Sequence, residues 1–200
     1  MRILQVDSIP PEIGGRTTGG LAAHVWELST HLAKRGHEVA ILADNLPNPE
    51  KAPRIKEEVR IYGFSIKHIR RFLPLALFEL PKIIKLSSYV GRPLNLKGIV
   101  RNTLFYKSVF ISFRPEIVHV HGPDRFPYVH FMLQGEIPKL ITIHSFTPAK
   151  FELPNRQSKS PGLIPKNLRH VDNLISNSKL VERQLRGFFP EYKGNRWLKE

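Results

Sequence analysis

Short apolar blocks alternate along this chain with longer stretches of helical periodicity, and the alternation predicts an α/β domain whose mainly parallel sheet is flanked by helices. Arg2 to Asp7 is a short apolar run that reads as a buried strand. Leu21, Val25, Leu28 and Leu32 then recur at spacings of four, three and four residues, the stripe of an amphipathic helix, and Gly36 ends it. Glu38 to Ala43 forms a second strand closing on Asp44, so the chain opens with a β-loop-α-β unit for which parallel strands and a right-handed crossover are expected. Asn45 to Glu58, with Pro47, Pro49 and Pro53, reads as a polar connection to a short strand at Val59 to Tyr62. Ile117 to His121 is a strand by its β-branched residues, and Lys139 to His144 and Asn173 to Asn177 are two more. Phe146 to Lys166 carries prolines at 148, 154, 161 and 165, too broken for an element and long enough to suggest a functional loop. No internal repeat is present.

Composition narrows the class. With 200 residues, 41% of them hydrophobic, one well-filled core fits and a second full domain does not. The absence of cysteine excludes disulfides and thiolate metal sites and suits a reducing, cytoplasmic setting. The apolar start meets Asp7 too soon for a signal-peptide core, and no apolar run reaches the ~20 residues of a membrane helix. The 31 Lys and Arg against 17 Asp and Glu give +14, a field that draws phosphates, acidic lipids, nucleic acid or an acidic partner. Much of it is local: Lys67, Arg70, Arg71, Lys82, Lys85, Arg92, Lys97, Arg101, Lys107 and Arg114 face Glu79 as the one acid between Ile66 and Arg114.

Between the first strand and helix, Ser8 to Gly20 carries two glycine pairs, Gly14-Gly15 and Gly19-Gly20, the second directly at the helix start. Glycine lets a ligand approach the backbone, and the free N–H groups and positive dipole end of a helix favour a phosphate or carboxylate there. The plainer alternative is a tight turn. No Gly-Lys-Ser/Thr follows, so this is not a P-loop, and the glycines do not fall as G-x-G-x-x-G. Asp44 at the end of the second strand keeps a dinucleotide site as a rival, although the loop is long for that fold's first turn.

Six strings carry a resemblance. Arg2–Val6 (RILQV), Gly19–Leu28 (GGLAAHVWEL), Leu32–Val39 (LAKRGHEV), Arg114–Gly122 (RPEIVHVHG), Ile141–Ser145 (ITIHS) and Val171–Ser178 (VDNLISNS) resemble, in order and in placement, the N-terminal domain of the GT-B glycosyltransferases of family 4. The likeness covers most of residues 1–185 and lapses between Asn45 and Arg114. It implies a Rossmann-like acceptor-side domain over 1–185, with 186–200 a tail toward a C-terminal donor domain. It further implies transfer from a UDP-, GDP- or ADP-sugar to a glycan or lipid-linked acceptor, with retention and with no protein nucleophile, required metal or cofactor. Gly19 and Gly20 match the loop beside the donor phosphates, and His144 the histidine that approaches the transferred sugar. His121 and Gly122, with Ser145, match the substrate-binding border of the cleft. The family's Glu-x7-Glu pair belongs to the C-terminal domain; Glu50 and Glu58 share its spacing but sit in the polar connection, a chance match. Catalysis by these residues alone is therefore not expected, and the alternative is a non-catalytic module that holds a glycan, a lipid head group or a partner.

The remaining candidates have plainer readings beside the functional ones. His119 and His121 share a strand face, which invites a metal, but no third ligand follows at suitable spacing and a structural role is favoured. Ser178 reads as an N-cap. Phe72, Leu73, Leu75, Leu77, Phe78 and Leu80 beside Arg70, Arg71, Lys82 and Lys85 suit either an anionic membrane surface or a helical pair with a solvated charged face. None of the usual nucleic-acid reading motifs is present, so no specific nucleic acid is expected.

Overall fold

Alternate residues of the central strands point to opposite faces, and here both faces are apolar. Leu4, Val6, Ala40, Leu42, Val118, Val120, Ile141 and Ile143 belong to one buried cluster, while Val39, Ile41, Ala43, Val59 and Ile61 belong to a second. A strand buried on both sides needs a cover on both sides, and the helices supply it. The computed structural model describes residues 1–47, 53–64, 73–90, 96–122, 125–133, 137–144, 171–188 and 197–199.

Its elements in chain order are β1 (Arg2–Val6), α1 (Gly20–Lys34), β2 (Glu38–Pro47), β3 (Arg54–Lys56), β4 (Val59–Phe64), α2 (Leu73–Phe78), α3 (Leu80–Val90), α4 (Leu96–Phe113), β5 (Ile117–His121), α5 (Phe126–Met132), β6 (Lys139–Ile143), β7 (Asn173–Ser176), α6 (Lys179–Phe188) and β8 (Trp197–Lys199). They build one eight-stranded sheet in the order β3-β4-β2-β1-β5-β6-β7-β8. Every neighbouring pair is parallel except β3 with β4. The order reverses between β1 and β5, the switch point outside which open α/β sheets bind ligands at their carboxyl ends. The α/β class with a mainly parallel, helix-flanked sheet is thus as the sequence pattern has it.

Three details differ from the pattern. The connection Asn45 to Glu58 is partly strand: β2 runs on to Pro47, with a register shift against β4 after Ala43, and β3 forms an antiparallel edge. Glu57 and Glu58 turn that hairpin at φ 46° and 64°, a conformation usually given to Asn or Gly, so neither turn residues nor apolar alternation announced it. In α1 the buried positions are Ala22, Val25, Ser29, Thr30 and Ala33, small enough to bring the helix close to the sheet, with Leu21 and Leu32 packed at the margin. Residues 186–200, expected as a tail, contribute the end of α6 and a strand paired with β7.

The basic stretch is helical in its described part, and some of its charge turns inward. Lys82 and Lys107 pair with Glu79 at 2.8 and 3.0 Å, and Glu79 and Lys107 are both buried. Leu77, Phe78, Leu80 and Ile84 stay exposed. Lys67, Arg70, Arg71, Phe72, Arg92, Glu50, Ser145 and the 146–166 loop lie outside the described residues, while Glu58 is exposed at the hairpin turn. Among the described residues no helix is long and apolar enough to cross a membrane. Ser178 caps α6 as expected, its Oγ accepting from the Val181 N–H at 3.2 Å.

Candidate active site

The two glycine pairs separate on structural grounds. Gly14 is left-handed at φ 94°, and a Cβ on Gly15 would lie 1.8 Å from the Ile9 carbonyl oxygen, so this pair serves the turn. Gly19 and Gly20 face open space: a Cβ on either would meet nothing within 4 Å. Gly19 is the N-cap of α1 at φ 125°, and no side chain caps that end. The helix start is therefore left for an incoming group, and its dipole favours an anion.

Beside it, on the α1 side of the sheet, runs a polar seam. Gln5 pairs in register with His119, and His121 with Thr142, across β1, β5 and β6. The side chains join diagonally to that register. His121 Nε2 donates to Gln5 Oε1 at 2.7 Å, so its Nδ1 carries the lone pair and accepts from His144 Nε2 at 3.1 Å. His119 Nε2 and Thr142 Oγ1 are 2.7 Å apart. Asn177 Nδ2 donates to the His144 carbonyl at 2.7 Å and so fixes that backbone from β7's end. His24, one turn into α1, brings its ring to 5.0 Å from that of His144 and 5.6 Å from that of His121. The fold thus unites His24, His121 and His144, whose candidate ligand atoms lie within 4.8 Å of one another. Spacing along the chain offered His119 and His121 no third partner; three separate elements supply the group, with His119 turned to Thr142 instead.

Burial governs the charge state. Loss of water pushes the His144 imidazole down to about 4, helped by His24, and that of His119 to about 3, helped by His144 and His24. Burial likewise holds His121 well below the usual range, with its histidine neighbours and Arg125 adding to the effect. At neutral pH all three are uncharged and act through directed hydrogen bonds rather than as cations. Stability must follow. The unfolded chain takes up these protons near pH 6.5 and the folded chain only far lower, so the contribution is complete above about pH 6.5 and is lost as pH falls toward the folded values. For the fully buried pair, His119 and His121, each differential proton gives a slope of about 1.4 kcal/mol per pH unit. Urea unfolding in chelator-containing buffer should therefore show stability falling steadily from pH 6.5 to 5, above the carboxylate range. A flat profile there would contradict the neutral assignment.

Arg125 completes the site. Its Nη1 lies 3.3 Å from Asp7 Oδ2 and its Nη2 3.3 Å from Ser8 Oγ, while Asp7 also accepts from the Ser8 N–H. One buried carboxylate thereby ties the start of the glycine loop to the start of α5 and leaves the guanidinium partly exposed. Gly122 follows β5 at φ 119°, with open space where a side chain would be. Sequence reading missed Arg125, Gln5 and His24. Only His24 left a trace, as a polar ring between the apolar positions Leu21, Val25 and Leu28 of α1.

Residues 19–193 match the glycosyl transferase 4-like domain family. No curated protein sequence matches the chain. Among solved structures it is similar to sucrose-phosphate synthase from Thermosynechococcus elongatus, at 13% identity and a TM-score of 0.56, covering 100% of this chain and 47% of that one. An α,α-trehalose-phosphate synthase (UDP-forming) from Burkholderia vietnamiensis is similar at 16% identity and a TM-score of 0.51, with 96% and 43% covered. The E. coli trehalose-6-phosphate protein bound with UDP-2-fluoro glucose gives 13%, 0.50, and coverage of 100% and 48%. The chain spans about half the length of these structures, and at such identities the likeness is one of fold. Fold, motif order and family match agree: the chain belongs to the glycosyl transferase 4-like domain family.

Proposed function

We propose that this domain is the acceptor-side wall of a glycosyltransferase crevice, in which a sugar passes from a nucleotide-sugar donor to a glycan or lipid-linked acceptor with retention, once a donor-binding half closes the other side. One observation supports the reading: α1 begins in open glycine, and its His24 ring lies 5.0 Å from that of the neutral His144 at the carboxyl end of β6. The helix start offers N–H groups and dipole to a donor phosphate. His144 gives its Nε2–H to His121, so its other ring nitrogen accepts a hydrogen bond from a hydroxyl of the transferred sugar, and neutrality keeps that lone pair in place. His121 orients His144 and is itself held by Gln5. Arg125, steadied by Asp7, presents a cation to an anionic group of either substrate. Asp7 is buried and engaged by Arg125 and Ser8, so it is not free to attack the anomeric carbon, in keeping with a mechanism that uses no protein nucleophile.

Two acceptor forms are worth offering. The similar structures are sucrose- and trehalose-phosphate synthases by name, which favours a sugar phosphate in water. The exposed Leu77, Phe78 and Ile84, on a chain of net charge +14, favour a lipid-linked acceptor on an anionic membrane surface. The experiment joins this chain to the donor half of a family relative and supplies a nucleotide sugar with each acceptor form in turn, the lipid-linked one in anionic and in neutral vesicles. Transfer is expected with one form, and for the lipid at least about tenfold faster on anionic vesicles. No transfer to either, with both halves folded, points to the non-catalytic binding module instead.

A further inference from the structure

The histidine cluster carries a second reading that does not depend on the first. We propose that His24, His121 and His144 form a binding site for one divalent transition-metal cation of the zinc type. Three facts support it. The three candidate ligand nitrogens come from three different elements and already lie within 4.8 Å of one another, with His121 Nδ1 and His144 Nε2 at 3.1 Å. Tetrahedral zinc at about 2.05 Å from each nitrogen needs ligand atoms about 3.4 Å apart. At 3.1 Å that pair needs to open by only about 0.3 Å, and a side-chain rotation of His24 on α1 brings in the third nitrogen.

Second, His24 Nε2 is buried and has no hydrogen-bond partner. A buried polar nitrogen left unpaired costs free energy, and a cation between the rings removes that cost. Third, His121 is oriented as metal-bound histidines are: its far nitrogen donates to Gln5 Oε1 at 2.7 Å, which aims the Nδ1 lone pair into the cluster. Burial keeps His121 and His144 uncharged as a metal requires, and binding moves the His144 proton from Nε2 to Nδ1 to free the ligating lone pair. Arg125 opposes the cation electrostatically, and its pairing with Asp7 at 3.3 Å offsets part of that repulsion. Three imidazoles leave a fourth coordination position for water or an anion.

A metal on His144 Nε2 moves the ring proton to the other nitrogen and turns the acceptor that the proposed transfer uses into a donor, so the metal acts as a reversible block of the crevice. This consequence rests on the proposed function; the site itself does not. The test titrates Co2+ into the whole chain at pH 7.5 without chelator and reads the visible bands of nitrogen-ligated, tetrahedral Co2+. One equivalent is expected to give the bands, and one equivalent of Zn2+ to abolish them. His24→Ala should weaken binding at least about tenfold, since loss of a ligand costs no less than loss of a supporting contact. His24→Asn serves as a second variant should the alanine form fold poorly, and His31→Ala, on an exposed residue, should change nothing. No bands, or bands of equal strength in folded His24 variants, would overturn the site. In the joined enzyme, filling the site should cut transfer at least tenfold and a chelator should restore it. Binding without inhibition would keep the site and overturn the block.

Discussion

Replacing His144 with alanine in the joined enzyme is expected to lower transfer about 100-fold, the scale seen when one preorganised hydrogen-bonding group is removed from a water-poor site. The fold should survive the change. Asn177 donates to the His144 carbonyl and not to its ring, so the backbone at the end of β6 keeps its tether in the variant. Among the described residues the buried group deprived is His121 Nδ1, at a cost of about 1–2 kcal/mol. Rates measured well below the unfolding midpoint separate the two effects, because a purely structural role would leave the rate of the folded fraction unchanged. His144→Gln, which retains both a donor and an acceptor, should recover part of the rate. Unchanged transfer by the alanine variant would remove His144 from the proposed chemistry.

The glycine pairs give the second large effect, and it falls on stability. A Cβ at Gly15 would lie 1.8 Å from the Ile9 carbonyl oxygen and 2.6 Å from its carbon, backbone atoms that cannot yield without moving the loop. Gly15→Ala is therefore expected to cost about 3 kcal/mol, the upper range for forcing an atom into packed structure. For a chain of this length that lowers the thermal midpoint by roughly 6–12 °C. Gly20→Ala places its methyl in open space at the first position of α1 and should leave stability unchanged or raise it by up to about 1 kcal/mol. Equal midpoints for the two variants would show that the loop does not pack Gly15 against Ile9.

The same contrast shows how far the sequence could be read. Strands buried on both faces announce themselves as apolar runs, so β1, β4, β5, β6 and β7 were legible, as was the core of β2. The edge was not. Ile55 is 71% exposed on β3, and a strand that buries nothing leaves no pattern to find, least of all when its turn is two glutamates at positive φ. The helix of the first unit was legible in position but not in detail, because the sheet takes the small residues Ala22, Ser29 and Ala33 and leaves leucines at the margin.

His144, His121, Gly122, Gly19 and Gly20 were picked out as candidates through motif order, and of these His121 and His144 meet at 3.1 Å. The partners that give them properties came from elsewhere in the chain. Gln5 reaches His121 across 116 positions and Asp7 reaches Arg125 across 118, distances over which no spacing rule operates. Polar contacts inside a parallel sheet are set by register, and register becomes visible only once the strand order is known.

The most direct test of the account is to incubate the purified chain alone with UDP-, GDP- and ADP-sugars and follow release of free sugar and nucleotide. One wall of a crevice positions a donor phosphate without closing over the sugar, so no turnover above the buffer background is expected. Clear, saturable hydrolysis abolished by His144→Ala would contradict the account, since it would show that these residues form a complete catalytic site.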